Sequence, residues 1–243
     1  MKKLCTVLFA ILVLTAMVQA DIYIKSKTHS DAFSIMGQSQ PEKNDVAEQW
    51  IGDEMFANLT KDVAFVMNLK KNLMYIINHG EKTYLESGIP LDMSKILPPE
   101  MAQMAGSLMK MTVKVAPNGQ TKKVGQWNCT GYEATISMMM MPMKMTIWAS
   151  TDVPFDLDKY MEKVYGNVLK AQMMMDDAAL AEMKKVKGLW IATQMTMEMM
   201  GAKMNTTTEV TEISKKTPDA SVYTVPAGYK KTDKLSAASL QKR

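Results

Sequence analysis

The chain has 243 residues, 47% of them apolar and 22% charged, a balance that suits a packed globular core. Its formal net charge of +4 falls to +2 without Lys2 and Lys3, and its lysines are interspersed with acidic residues, which argues against a nucleic-acid footprint. The abnormal feature is methionine, 27 in all and 25 once Met1 and Met17 are set aside, so the interior must be built with many flexible thioethers.

Lys2 and Lys3, the apolar run Leu4 to Met17 and Val18-Gln19-Ala20 have the three-part order of a cleavable secretory signal, with cleavage expected between Ala20 and Asp21. The apolar run falls short of the about 20 residues a helix needs to span a bilayer, and no second run of that length follows. Removing residues 1–20 also removes Cys5, leaving Cys129 without a partner for an intrachain disulfide. The expected product is a periplasmic or secreted protein of a Gram-negative bacterium, with one domain over residues 21–231 and a disordered tail over 232–243.

Asp21 to Phe33 is β-prone, and Gly37 to Asn44 is a polar turn region. Short β-prone runs follow at Glu48 to Phe56, Val63 to Leu69, Leu73 to Asn78 and Lys82 to Glu86, separated by turns such as Lys70-Lys71-Asn72 and His79-Gly80-Glu81, which predicts an antiparallel meander. Pro98-Pro99-Glu100 opens a short helix over 98–108, with Met101, Met104 and Leu108 at helical spacing. Met109, Met111, Val113 and Val115 then alternate with polar residues as a strand, and Pro117-Asn118-Gly119 is expected to turn the chain back. Lys122 to Trp127, Thr130 to Met138 and Lys144 to Ser150 continue the sheet.

From Phe155 the period changes to that of a helix over 155–185, with Leu157, Met161, Val164, Val168 and Leu169 on one face, a break near Asp176-Asp177, and Gly188 as its stop. Ile191, Met195, Met197 and Met199 then share one strand face, and Gly201-Ala202 leads into a closing polar strand over Asn205 to Ser214. The segment Tyr223 to Lys231 is expected to be extended.

No assembled catalytic motif is present. His29 and His79 are the only histidines, no G-x-S-x-G elbow accompanies them, and Ser107-x-x-Lys110 lacks the companion motifs of penicillin-recognising enzymes. Nucleotide cofactors lack a P-loop or G-x-G cradle, and zinc lacks ligands, so no cofactor is expected. Asp152, Asp156 and Asp158 lie where a helix cap is needed.

Trp127-Asn128-Cys129-Thr130-Gly131-Tyr132, Thr146-Ile147-Trp148-Ala149-Ser150 with Asp152-Val153-Pro154, and Val225-Pro226-Ala227-Gly228-Tyr229 together resemble an uncharacterised family of exported bacterial proteins, a domain of unknown function. The resemblance implies an α+β fold similar to the LolA and LolB lipoprotein carriers: a curved antiparallel sheet, or half-barrel, with one long and one or two short helices on its concave face. It also implies a non-enzymatic binder of a lipid or other hydrophobic ligand. Trp50, Phe65, Met145, Trp148, Met195, Met197 and Met199 are the positions expected to approach its cavity, since methionine repacks readily around ligands of varied shape.

Two other readings stay open. The alternating groups Met141, Met143, Met145 and Met195, Met197, Met199 place thioethers about 6 to 7 Å apart at Cα on one strand face, a pattern that suits a soft ion such as Cu(I). Alternatively the methionines are plain core in a structural or partner-binding envelope protein.

Overall fold

The structure, a computed structural model, describes residues 20–35, 38–91, 111–138, 141–173, 175–199 and 201–234. Residues 1–19 of the expected signal over 1–20, the helix over 98–108, and residues 235–243 of the expected tail over 232–243 lie outside the described residues.

Asp21–Ser30 (β1) is followed by a small separate hairpin, Phe33–Ile35 (β2) with Gln38–Gln40 (β3). Lys43–Ile51 (β4), Met55–Leu59 (β5), Val63–Asn68 (β6), Leu73–Asn78 (β7) and Thr83–Gly88 (β8) form the expected meander. The predicted run from Glu48 to Phe56 is two strands, because the chain reverses after Gly52 and the Gly52 N–H returns to the Met55 carbonyl at 2.9 Å.

Thr112–Val124 (β9), Trp127–Met138 (β10) and Met141–Ser150 (β11) follow, then two helices, then Leu189–Met199 (β12), Ala202–Lys216 (β13) and Lys230–Thr232 (β14). One twelve-stranded sheet results, in the order β14-β8-β7-β6-β5-β4-β1-β13-β12-β11-β10-β9. All its pairings are antiparallel except β14 with β8, and the sheet is a large, curved, open one whose edges are β14 and β9. With few helices, this is an α+β architecture that does not close into a barrel.

Pro117-Asn118-Gly119 does not turn the chain back. β9 runs straight through it, and β10 stays paired on both sides, Tyr132 with Pro117 and Thr130 with Thr121. The extra residues form a bulge, in which Gly119 takes φ 73° and the Asn118 carboxamide accepts from the Gln120 N–H at 3.0 Å. That carboxamide lies over Gly131, where a Cβ would sit 2.3 Å from its oxygen, so the glycine of the Trp127 to Tyr132 motif makes room for the bulge. The reversal comes at Gly125, φ 54°.

The two halves of the sheet carry different sequence patterns for a physical reason. In β6 and β7 the residues are apolar almost without interruption, because both faces are covered. One face, through Phe56, Met67, Met74, Ile76 and Leu85, joins the main core; the other, through Ala57, Ala64, Val66 and Ile77, packs with Tyr23 and Trp50 under Val222 and Tyr229 of the C-terminal segment. In β9, by contrast, Val113 and Val115 are buried while their neighbours are exposed.

The C-terminal segment is not simply extended: it makes consecutive turns and crosses the sheet. Gly228 (φ 82°) allows the reversal that sets the Tyr229 hydroxyl 3.0 Å from His79 Nδ1, and the Lys230 N–H then bonds the Lys82 carbonyl to start β14. Tyr223 donates to Asp21, linking this strap to the start of β1.

The long helix, α1, begins as an α-helical turn at Leu157–Tyr160, passes through a π-helical stretch at Met161–Tyr165, and is α-helical again over Gly166–Met173. Asp156 caps it, accepting from the Lys159 N–H at 2.9 Å, and Asp176 caps the second helix, α2 (Asp177–Met183), in the same way at 2.8 Å. Gly188 is not the stop of α2, which ends at Lys184. It instead lets β12 begin against β11: a Cβ there would meet the Ser150 carbonyl oxygen at 2.6 Å.

Candidate functional site

Both helices bury their apolar faces in the main core, with Val164, Val168, Leu169, Leu180 and Met183 joining Ile24, Met145, Ile147, Ile191 and Val210 from the sheet. Between α1 and strands β1, β13, β12 and β11 this packing leaves a cavity of about 300 Å³. Tyr160, Tyr165, Val168 and Leu169 line it from the helix, and Ile24, Ser26, Met145, Trp190, Ile191, Met195, Thr206, Thr208 and Val210 from the sheet.

The π-helical stretch sets the helix side of this cavity. An ordinary helix would separate residues 160 and 165 by well over a quarter turn, whereas an i to i+5 turn keeps them on one side. Tyr160 and Tyr165 are both buried, their ring centres 6.0 Å apart, and Tyr165 meets Trp190 edge-on at 6.0 Å. Phe155 extends the aromatic row, 5.9 Å from Tyr160.

Polarity in this wall is unusual. The Tyr165 hydroxyl and the Trp190 indole N–H are both buried, with no hydrogen-bond partner of ordinary geometry beyond each other. Burial holds the Tyr165 phenol well above its ordinary pKa, with Tyr160 adding to the rise and the Trp190 indole opposing it. The strand side of the lining also carries the hydroxyls of Ser26, Thr193, Thr206 and Thr208, of which Thr208 bonds Thr28 at 2.9 Å and Thr206 lies 3.3 Å from Ser30, their cross-strand partners on β1. The space is thus mostly apolar, with several hydroxyls in its strand wall.

Of the positions singled out in the sequence, Met145 and Met195 face each other across β11 and β12 in the cavity wall. Met197 lies one row further along, opposite Met143. Phe65 packs against the main core from β6, away from the cavity lining, and Trp50 belongs to the other face, edge-on to Tyr23 at 4.8 Å. Trp148 borders a separate groove of about 620 Å³ with Lys27, His29, Gln194 and Glu209, its ring under Lys122 Nζ at 4.1 Å. That groove is larger, but most of its lining residues are charged or polar, which suits an apolar ligand less well than the cavity under α1. The side chains of Met141 and Met199 lie outside the described residues.

Tyr160, Tyr165 and Trp190 were not picked out by the sequence reading. The five-residue spacing of Tyr160 and Tyr165 matches no α-helical period, and the only signal for them was two large aromatics so spaced on an amphipathic helix. The remaining chemistry is modest. His29 is held by Asn44 at 2.9 Å and Asp31 at 3.3 Å, and His79 by Tyr229, so neither partner set contains a serine or cysteine nucleophile. Cys129 is free and buried, its thiol pKa raised by burial. Among the described residues no group of three or more His, Cys, Asp or Glu is arranged to hold a metal, and no helix is long and apolar enough to cross a membrane.

A family model described as a domain of unknown function (DUF4412) matches residues 33–229. The chain belongs to this family. The DUF4412 match takes in β2 to β13 with both helices, and so includes the α1 side of the cavity and all its walls except β1. Comparison with curated proteins gives no match. Among solved structures the chain is similar to that of PNGF-II in a C2 space group, at 13% identity and a TM-score of 0.38, over 90% of this chain and 32% of that one. This DUF4412 protein therefore spans about a third of that structure's length.

Proposed function

We propose that this protein is a non-enzymatic binder or carrier of an amphiphilic lipid, released by signal cleavage into the periplasm or beyond, and that its sheet works as a LolA-like half-barrel with α1 across its concave side. The observation that carries the reading is the cavity between α1 and the sheet. Its volume is at the lower end of those of small-molecule sites, and its wall is mostly apolar with a few convergent polar groups. The buried Tyr165 hydroxyl and Trp190 indole N–H, which have no partner of ordinary geometry beyond each other, favour a ligand that presents a carbonyl or carboxyl group among acyl carbons. Met145 and Met195 supply walls that repack around chains of different length. Cleavage between Ala20 and Asp21 would leave β1 whole, since that strand begins at Asp21.

Native mass spectrometry of protein purified from its own cell envelope tests this directly. Co-purifying lipid and uptake of a fluorescent fatty acid are expected, with Tyr165→Phe weakening that uptake because the cavity wall loses its hydroxyl. A clean apo mass together with no fatty-acid uptake overturns the reading.

A further inference from the structure

We infer that Met143, Met197 and Met204 form a thioether site for a soft monovalent cation of the Cu(I) or Ag(I) class, separate from the lipid cavity. The three residues lie on consecutive strands, and the antiparallel register pairs Met143 with Met197 and Met197 with Met204. Directly paired residues leave the same face of a sheet, so the three side chains form one row across β11, β12 and β13. Adjacent strands are about 4.8 Å apart, which puts the outer two Cα atoms about 10 Å apart, and a methionine with three rotatable side-chain bonds can bring its sulfur inward from either side. Three sulfurs converging over Met197 make an uncharged, soft donor set that favours Cu(I) or Ag(I) over harder divalent ions.

Met143 packs against the main core, yet the row differs in burial from the methionines inside that core. Met67, Met74 and Met183, which do fill the core, are completely buried, whereas Met143, Met197 and Met204 are each only partly buried. An ion therefore has access to them. The neighbouring row on the same face, Met145 with Met195, lies two residues along each strand and supplies further thioethers nearby. Met204 has no place in an alternating Met-x-Met pattern. It reaches the row because the β12–β13 hairpin, with Gly201 at φ 79°, folds it back opposite Met197.

Anaerobic competition between the purified protein and a chromophoric Cu(I) chelator tests the site, with Ag(I) binding followed by native mass spectrometry. Wild type is expected to withdraw one equivalent of Cu(I), with a sulfur-only first shell in X-ray absorption. Met143→Leu/Met197→Leu/Met204→Leu should lose that withdrawal yet keep its circular dichroism spectrum, since leucine is close to methionine in volume. Should the triple variant fail to fold, Met204→Leu alone, at the partly exposed hairpin, is expected to weaken withdrawal. The proposal is overturned if wild type withdraws no copper, if a folded triple variant or Met204→Leu matches wild type, or if absorption shows nitrogen or oxygen ligands in place of sulfur.

Discussion

Glycines at two positions in this molecule have quite different reasons for being there. At Gly188 the backbone has φ 115°, and a Cβ would strike the backbone of Ser150, a residue buried to 1% exposure that has nowhere to move. At Gly119 φ is 73°, but nothing lies within 4 Å of the added carbon. Gly119→Ala is therefore expected to lower stability by about 1 kcal/mol, from backbone conformation alone. Gly188→Ala should lower it by at least about 2 kcal/mol, because the clash adds to the conformational strain. Urea denaturation midpoints for the two variants check the order, and equal losses would contradict the close approach of β11 and β12.

At the scale of single elements, β9 shows how an exposed sheet edge is managed. The Val115 N–H points away from β10, and the Glu182 carboxylate on α2 accepts from it at 3.1 Å. The Lys185 ammonium first, and this backbone donor second, hold the Glu182 pKa below the ordinary carboxylate range. A pKa lowered by folding contributes stability above the unfolded-state value and loses it as pH falls through the folded-state value. Glu182→Gln is thus expected to have a lower Tm than wild type at pH 7, with the gap shrinking below about pH 5 and closing in stronger acid. Thermal melts across that range decide it, and a gap that stays constant to low pH would mean the carboxylate charge plays no part.

Elements with a strong local pattern were legible from the sequence: β7 falls where its apolar run predicts, and Asp156 caps α1 as its position before the helical period suggests. Features set by partners were not. The Pro117-Asn118-Gly119 bulge reads as a turn until Gly131 is seen opposite it, and the pairing of Met197 with Met204 depends on hairpin register. The cavity was half legible: the Met145 and Met195 alternation shows, but the π-helical shift that sets Tyr165 beside Trp190 leaves no periodic trace.

Seen as a whole, the molecule places the earliest of its described strands in the middle. β1 lies between β4 and β13, and the Thr28 to Thr208 bond spans 180 residues of sequence. A chain ending at Met199 would keep β1 paired on one side only, and should be recovered as aggregate, not as a stable half; a soluble, cooperatively melting fragment in size-exclusion chromatography and calorimetry would contradict this. Because ribosomes make the amino end first, one flank of β1 stays open until residues 206–216 have been synthesised. The nascent protein thus carries one open flank of β1 through most of its own synthesis, long after β4 has become able to cover the other.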